Sequence, residues 1–508
     1  MNERKLRVLM DLSLALRGYS GIPQDTRLLF KTLASSPEVE VTGFIYPSWT
    51  RGFRHRFCRP DASRGDRLAN QACLLWGLDE VPRPGGAFLP LRLLVKMQRL
   101  AAVLTARSAQ FDSLDVESFW QVMWRLLFQQ TLSAEDLPLV QSGRFKLMNV
   151  PAETMHRRVV MRRRPLKIDT RGYDFLIVQT ARALRVSPGT CSIVRYHDMI
   201  PVTQPDTTQH TRDIKWHHHS ICQTLDSVYV CNSEPTRTNL IEVYPQLAQR
   251  SATIPYMLSQ TYWPDANTSL LSSIIDSRRS AVTGVQRRKP LEATPRYIMA
   301  VSTLEPRKNY AGLIQAFNAV RFREGVERAL PNLKLLIVGS PGWKFEPILA
   351  VMKDFVARGD IIHLEHVTSE ELRVLYTHAE ALVYPSHAEG FGFPPLEAMQ
   401  CDVPVIASDL PEHRWVLGDA ALYCNSYDVG GMAACIETLL ASPDSAALRA
   451  KMIARGRERI KRYTLERCSR QWLELLHGLM DGSHAAGARG GTRVEHAKRR
   501  RSLMDQAA

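Results

Sequence analysis

Apolar positions along this chain fall into short runs separated by longer amphipathic stretches. In the first half, residues 7–12 and 39–46 read as buried strands, with a turn at 18–23 and a helix over 25–33 between them. Further apolar runs at 173–178, 192–195 and 227–231 alternate with helical spacing at 210–225 and 235–244. A polar stretch from Pro264 to Pro295, with Arg278-Arg279 and Arg287-Arg288-Lys289, reads as a linker. A second alternating series begins at Tyr297 and continues to Tyr463. Strand–helix alternation of this kind predicts doubly wound parallel sheets. The fold class expected is α/β, with two Rossmann-like domains facing a central cleft. The expected domains are 1–263, with an irregular insertion near 47–167; a linker at 264–294; and 295–480, whose last helix can cross back to the first domain. Residues 481–508 form a basic tail expected to be disordered.

The insertion fits no regular strand–helix scheme. Residues 89–104 are apolar with Arg92, Lys96 and Arg99 on one helical face, which suits either a membrane interface or a surface helix packed on its domain. Phe119-Trp120 and the run from Trp124 to Phe128 make an aromatic-rich helix, for which core packing is the commoner use.

Composition narrows the class. With 508 residues, 45% hydrophobic and 23% charged, the chain can bury a sizeable core. Its nine cysteines include no Cys-x-x-Cys pair, which favours a reducing compartment over a disulfide framework. No secretory signal pattern and no transmembrane-length apolar run occur, so a cytoplasmic protein is expected. The balance of 66 basic against 51 acidic residues, +15 net, favours anionic partners. Nucleotides and an anionic membrane surface rank above nucleic acid, because no nucleic-acid module interleaves basic and aromatic residues here.

The most informative stretch is Glu389-Gly-Phe-Gly-Phe-Pro-Pro-Leu-Glu397. It follows the apolar run 381–384 and precedes a helix opened by Pro394-Pro395, where no backbone N–H is needed. Gly390 and Gly392 permit a tight turn and close approach to a ligand. A strand, a bare glycine turn and an open helix N-terminus make an anion site. Flanking carboxylates can grip hydroxyls beside it, and an anion plus hydroxyls describes a nucleotide sugar.

This stretch resembles the Glu-x7-Glu motif of the family 4 retaining glycosyltransferases, which have the GT-B fold. The resemblance extends in order through residues 300–309, 335–344, 397–408 and 418–422 and is thinner in the first half. It implies that Glu389 contacts the donor sugar near the reacting carbon, that Glu397 binds ribose hydroxyls, and that Phe391 and Gly392 offer backbone amides to phosphate or sugar. Tyr196-His197-Asp198 resembles the family's His-Asp element at the cleft, where His197 would meet donor sugar and acceptor; a structural histidine is the competing reading. Gly21 lies where the family has a glycine-rich loop on the acceptor side, but Gly21-Ile22-Pro23 departs from the double-glycine form, and Pro23 removes a donor.

No Asp-x-Asp occurs, so a diphosphate leaving group would need other counter-charge. Arg307 and Lys308, following a strand, can supply it, and no metal or other cofactor is expected. His217-His218-His219 reads as surface, because consecutive helical residues point apart.

The function expected is a retaining hexosyltransferase, mannosyltransferase-like, acting in lipopolysaccharide or exopolysaccharide assembly. Its partners would be a nucleotide-sugar donor, a glycan or lipid-linked glycan acceptor and an anionic membrane surface. The alternatives are a non-catalytic nucleotide-sugar-binding subunit and a membrane-associated scaffold of the same fold.

Overall fold

The computed structural model describes residues 4–16, 18, 21–46, 63–79, 97, 108–150, 155, 158, 165–205, 211–281 and 294–482. The helix proposed at 89–104, apart from Met97, and the basic tail from 483 lie outside them.

Strands of the first half are β1 (Leu6–Asp11), β2 (Val39–Ile45), β3 (Ser108–Ala109), β4 (Phe111–Ser113), β5 (Arg144–Met148) and β6 (Leu166–Ile168). They continue with β7 (Phe175–Val178), β8 (Leu184–Arg185), β9 (Cys191–Tyr196), β10 (Val228–Cys231) and β11 (Ser251–Thr253). Eight of them form one sheet in the order β11-β10-β9-β7-β1-β2-β5-β4, and β3, β6 and β8 form a small second one. Pairing in the large sheet is parallel except for β4 on β5. Such strands are covered on both faces and so read as continuous apolar runs. Val8, Leu9, Met10, Leu176 and Ile177 are accordingly fully buried.

The second half contributes β12 (Tyr297–Val301), β13 (Lys334–Val338), β14 (Ile361–Leu364), β15 (Ala381–Tyr384), β16 (Val405–Ser408) and β17 (Ala421–Cys424). They form one parallel sheet in the order β14-β13-β12-β15-β16-β17. In both sheets the order reverses beside the first strand: between β1 and β7, and between β12 and β15. Doubly wound sheets open a crevice at the carboxyl ends of their strands at that reversal.

Two expectations need correcting. The stretch 47–167 is not wholly irregular, since β5 extends the parallel sheet beside β2. Its aromatic run packs inward, with Leu127 and Phe128 in the first-domain core. The stretch 264–294 is not a plain linker either. It contains the helix Leu271–Arg278, whose Leu271, Ile274 and Ile275 pack into the second-domain core. Arg278 there forms a two-pronged ion pair with Glu371 at 2.8 and 2.9 Å.

The chain crosses between the halves twice. After β11, Met257 packs in the first core while Tyr256 and Leu258 pack in the second. The last helix, Leu465–Met480, returns and places Cys468, Trp472 and Leu476 in the first core. The two crossings touch where the Leu258 amide donates to the Tyr463 carbonyl, 2.9 Å.

One buried arginine ties these segments together. Arg195 of β9 donates to both carboxylate oxygens of Asp25 at 2.9 and 3.1 Å, and to the carbonyls of Ile254 and Pro255 at 2.6 and 3.2 Å. Its guanidinium lies 4.8 Å from the Tyr256 ring centroid and 5.6 Å from that of Trp472. It therefore joins the first helix, Ile22–Ser35, to both crossings. Arg27, also fully buried, donates to the carbonyls of Ala15, Gly18 and Leu127 and fixes the loop before that helix. Removing one partner of a fully buried pair strands the other charge. Asp25→Ala should therefore cost about 3–5 kcal/mol in chemical denaturation; a loss below about 1 kcal/mol would contradict this account of the crossing.

Candidate active site between the two sheets

The site is built at the order reversal of the second sheet. β12 leads into a single tight turn at Pro306–Lys308, and β15 leads into Glu389 and the glycine turn. Because β12 and β15 are neighbours, residues far apart in sequence meet there. Asn309, in the left-handed region at φ 54°, caps the next helix by accepting from the Gly312 amide at 3.2 Å. Gly392, at φ 94°, caps the helix Phe393–Gln400, with prolines in its first turn.

Glu389 is the hub. One carboxylate oxygen accepts from Lys308 Nζ at 2.5 Å and Ser386 Oγ at 2.7 Å. The other accepts from Arg307 Nη1 at 3.1 Å. Arg307 also reaches the Glu305 carboxylate at 3.0 Å and the Ala388 carbonyl at 3.2 Å, and Lys308 reaches the Tyr384 hydroxyl at 3.1 Å. Burial alone would raise the Glu389 pKa, but Lys308 and Arg307 outweigh it and hold the carboxylate well below its ordinary range. Burial lowers the Lys308 pKa, with Glu389 opposing. Burial would also lower that of Arg307, but Glu389 and Glu305 raise it above its ordinary value. Sequence reading offered Arg307 and Lys308 as counter-charge for a diphosphate; the structure pairs them with Glu389, and Arg307 also with Glu305.

Glu397 lies one turn into the helix and is 1% exposed. Oε2 accepts from the Tyr376 hydroxyl at 3.2 Å, and Oε1 has no hydrogen-bond partner among the described residues. Burial pushes its pKa up to about 8, with the Tyr376 hydroxyl pulling the other way. The Phe391 side chain is a packing residue, 4.7 Å centroid to centroid from Tyr256.

The first domain closes on this turn. The Gly390 carbonyl accepts from Ser233 Oγ and Thr236 Oγ1, each at 3.2 Å. A Cβ at Gly390 would stand 2.3 Å from the His197 carbonyl oxygen. His197 thus lies at the cleft, with its ring bonded on both sides. Nε2 donates to the Gln179 carbonyl at 2.6 Å, which leaves Nδ1 to accept from the Tyr256 hydroxyl at 2.5 Å. Burial first, and Arg195 second, lower its pKa to about 3, so it is neutral at pH 7 with both nitrogens engaged. Gly21, at φ 75°, begins the helix Ile22–Ser35, and a Cβ there would meet nothing within 4 Å.

His217 and His218 are not surface residues. Both are half-buried, bonded to the hydroxyls of Tyr196 and Tyr244 at 2.8 Å each. Their helix, Thr211–Cys222, packs its histidines against the first-domain tyrosines.

Sequence reading missed Tyr384, Ser386 and His413. Ser386 carries a weak signal, three residues before Glu389. His413 carries none, since it arrives from the helix Pro411–Leu417 after β16. Its Nδ1 donates to the Ser408 carbonyl at 2.8 Å, and its fully buried ring sits 5.4 Å from Tyr384.

The contact at Gly390 holds the domains together at the site. Gly390→Ala should wedge them apart and raise the radius of gyration measured by small-angle scattering. An unchanged radius would contradict the contact.

The group 1 glycosyl transferases family model matches residues 284–459. The chain is 29% identical over 283 residues to the O-antigen chain mannosyltransferase B of Escherichia coli, covering 55% of this chain and 68% of that one. It is 33% identical over 159 residues to the O-antigen chain mannosyltransferase RfbU of Salmonella typhimurium, covering 31% of this chain and 42% of that one. Among solved structures, a sucrose-phosphate synthase from Thermosynechococcus elongatus superposes with a TM-score of 0.59 at 15% identity, over 94% of this chain and all of that one. Anabaena Alr3699/HepE, in complex with UDP and glucose, superposes at 0.52 and 12% identity, over 93% and 100%. Sheet order, cleft and family match agree: the chain is a glycosyltransferase with the two-domain GT-B fold.

Proposed function

We propose that this enzyme is a retaining hexosyltransferase that moves a mannosyl unit from a nucleotide sugar to a growing glycan of the O-antigen type. The observation that carries the reading is the convergence of Lys308 and Arg307 on Glu389 at the crevice of the second sheet. The mannosyl identity and the O-antigen setting rest on the two bacterial mannosyltransferases above.

In this reading the ribose hydroxyls donate to Glu397, whose free oxygen is buried and poised to accept. The diphosphate lies against Arg307, Lys308 and the amides opening the helix Phe393–Gln400. Glu389 keeps both cations charged and in place before the donor arrives, so little reorganisation is needed as charge develops. No metal is required to balance the leaving group. The acceptor hydroxyl attacks from the leaving-group side. With His197 neutral and engaged, the proton of the acceptor hydroxyl passes to the departing diphosphate oxygen. Closure at Gly390 excludes water and limits donor hydrolysis. A binding-only subunit would have no need of this prepaid charge arrangement. Among the described residues no helix is long and apolar enough to cross a membrane; peripheral attachment to an anionic membrane surface stays a proposal resting on net charge.

Arg307→Ala and Glu389→Ala should each lower transfer by about 10²–10³-fold in a radiolabelled-donor assay. Near-wild-type turnover in both would overturn the reading. Donor binding should also release protons. Glu397 is protonated at pH 7, with a pKa of about 8, and hydroxyls donating to its carboxylate favour the ionised form. Donor affinity should therefore rise with pH up to about 8 and level off above it. Calorimetry in buffers of different ionisation enthalpy should show this release in wild type and not in Glu397→Gln. A wild type that releases no proton would contradict the ribose role.

A further inference from the structure

Cys424 ends β17, and Cys435 lies in the second turn of the helix Val429–Ala441 that follows it. Met432, Ala433, Ile436 and Leu439 of that helix are fully buried on the second-domain sheet. Cys424 belongs to the same core, and Cys435 packs at its edge. The two thiols form a hydrogen-bonded pair. Each sulfur also lies near a sheet carbonyl, Cys424 Sγ 3.8 Å from that of Ala407 and Cys435 Sγ 3.7 Å from that of Tyr423. Cys424 is buried, whereas Cys435 is half-buried and within reach of small solutes.

The pair is chemically unequal. The hydrogen bond from Cys424 holds the Cys435 pKa down to about 7, against burial and Asp428. The same bond, with burial, raises Cys424 above the ordinary thiol range. Burial pushes Cys191, Cys231, Cys401 and Cys468 up to about 11 or 12. The thiolate is the nucleophilic form, so Cys435 is reactive near neutral pH. A reachable thiolate with a second thiol in contact is the arrangement that oxidises and then resolves as a disulfide.

The loop 425–428 joins the two elements and touches both turns that carry the charge cluster. Asn309, directly after Lys308, donates from Nδ2 to the Ser426 carbonyl at 2.6 Å. His387, two residues before Glu389, is hydrogen-bonded through Nδ1 to the Ser426 hydroxyl at 3.0 Å. Its ring stacks on Tyr427 with centroids 4.4 Å apart, and its amide donates to the Arg307 carbonyl at 2.7 Å. Bonded sulfurs sit closer than hydrogen-bonded ones. Joining Cys424 to Cys435 therefore draws the end of β17 toward the helix and shifts the loop that both turns lean on.

We propose that Cys424 and Cys435 are a redox modification site, oxidised to a disulfide by a hydroperoxide, and that the disulfide slows glycosyl transfer by displacing Ser426 from Asn309 and His387. The Cys435 thiolate attacks one peroxide oxygen, the O–O bond breaks, and the departing hydroxide takes up a proton. Cys435 is then a sulfenic acid. The Cys424 sulfur attacks the Cys435 sulfur, the S–O bond breaks, and the thiol proton leaves with the hydroxide as water. In sum, two thiols and one hydrogen peroxide give a disulfide and two waters; the sulfurs lose two electrons and the peroxide gains them. The disulfide is independent of the glycosyl-transfer reading, and its effect on rate rests on that reading.

The test treats the full, reduced chain with hydrogen peroxide, blocks the remaining thiols with an alkylating agent and maps the peptides by mass spectrometry. A Cys424–Cys435 disulfide should appear and be released by dithiothreitol. Wild-type transfer should fall by about tenfold on oxidation and return on reduction. Cys435→Ser should keep its untreated rate in peroxide. Cys424→Ser should stop at the sulfenic acid, trapped on Cys435 as its dimedone adduct. The proposal is overturned if peroxide links no Cys424–Cys435 pair, if the disulfide forms and the rate is unchanged, or if Cys435→Ser loses transfer to peroxide as wild type does. A wild type that transfers nothing before oxidation would instead overturn the glycosyl-transfer reading, and the peptide map would still decide the modification site.

Discussion

One carboxylate, Glu389, holds an ammonium and a guanidinium within 3.1 Å of itself at the carboxyl end of a parallel sheet. Both cations come from the turn after β12, and the carboxylate comes from the turn after β15. That meeting is possible only because the two strands are neighbours at the point where strand order reverses. Isolated in a low-dielectric crevice, any of the three charges would be costly; together they are mutually satisfied and fixed. Fixed, mutually paired charge of this kind is the condition under which a site favours a transition state over a ground state.

The rest of the molecule keeps that cluster facing a second wall. Arg195 binds the first helix, the outgoing crossing and the returning last helix in one buried knot. Tyr256, on the outgoing crossing, stacks on Phe393 at 4.9 Å and bonds to His197, so one residue touches both the helix Phe393–Gln400 and the first-domain cleft. Closure is completed by Ser233 and Thr236 on the Gly390 carbonyl. Packing among the described residues sets the geometry of the cleft.

The fold was largely legible because parallel strands buried on both faces announce themselves as apolar runs. The run 381–384 coincides with β15, and the helix read over 235–244 spans Glu234–Val243. The insertion defied this reading because β3 and β4 are two and three residues long, too short to show a period. The Leu271–Arg278 helix hid in a polar stretch because only one face, Leu271, Ile274 and Ile275, is apolar. At the site, motif spacing located Glu389, Glu397, Arg307 and Lys308 but could not show that three of them pair with one another. Long-range pairing leaves no local trace. The same limit hid the partners of the histidines: His197, open between a cleft role and a structural one, is neutral and bonded at both nitrogens, and His218, read as surface, is bonded to Tyr244.

The central claim is that protein charge, not a bound cation, balances the departing diphosphate. The most direct measurement is the initial rate of transfer after exhaustive treatment with EDTA, compared with the rate after Mg²⁺ or Mn²⁺ is restored, in wild type and in Lys308→Met. The account predicts an undiminished wild-type rate in EDTA and a Lys308→Met rate that is low and insensitive to added metal. Loss of wild-type transfer in EDTA with recovery on adding either metal would contradict it.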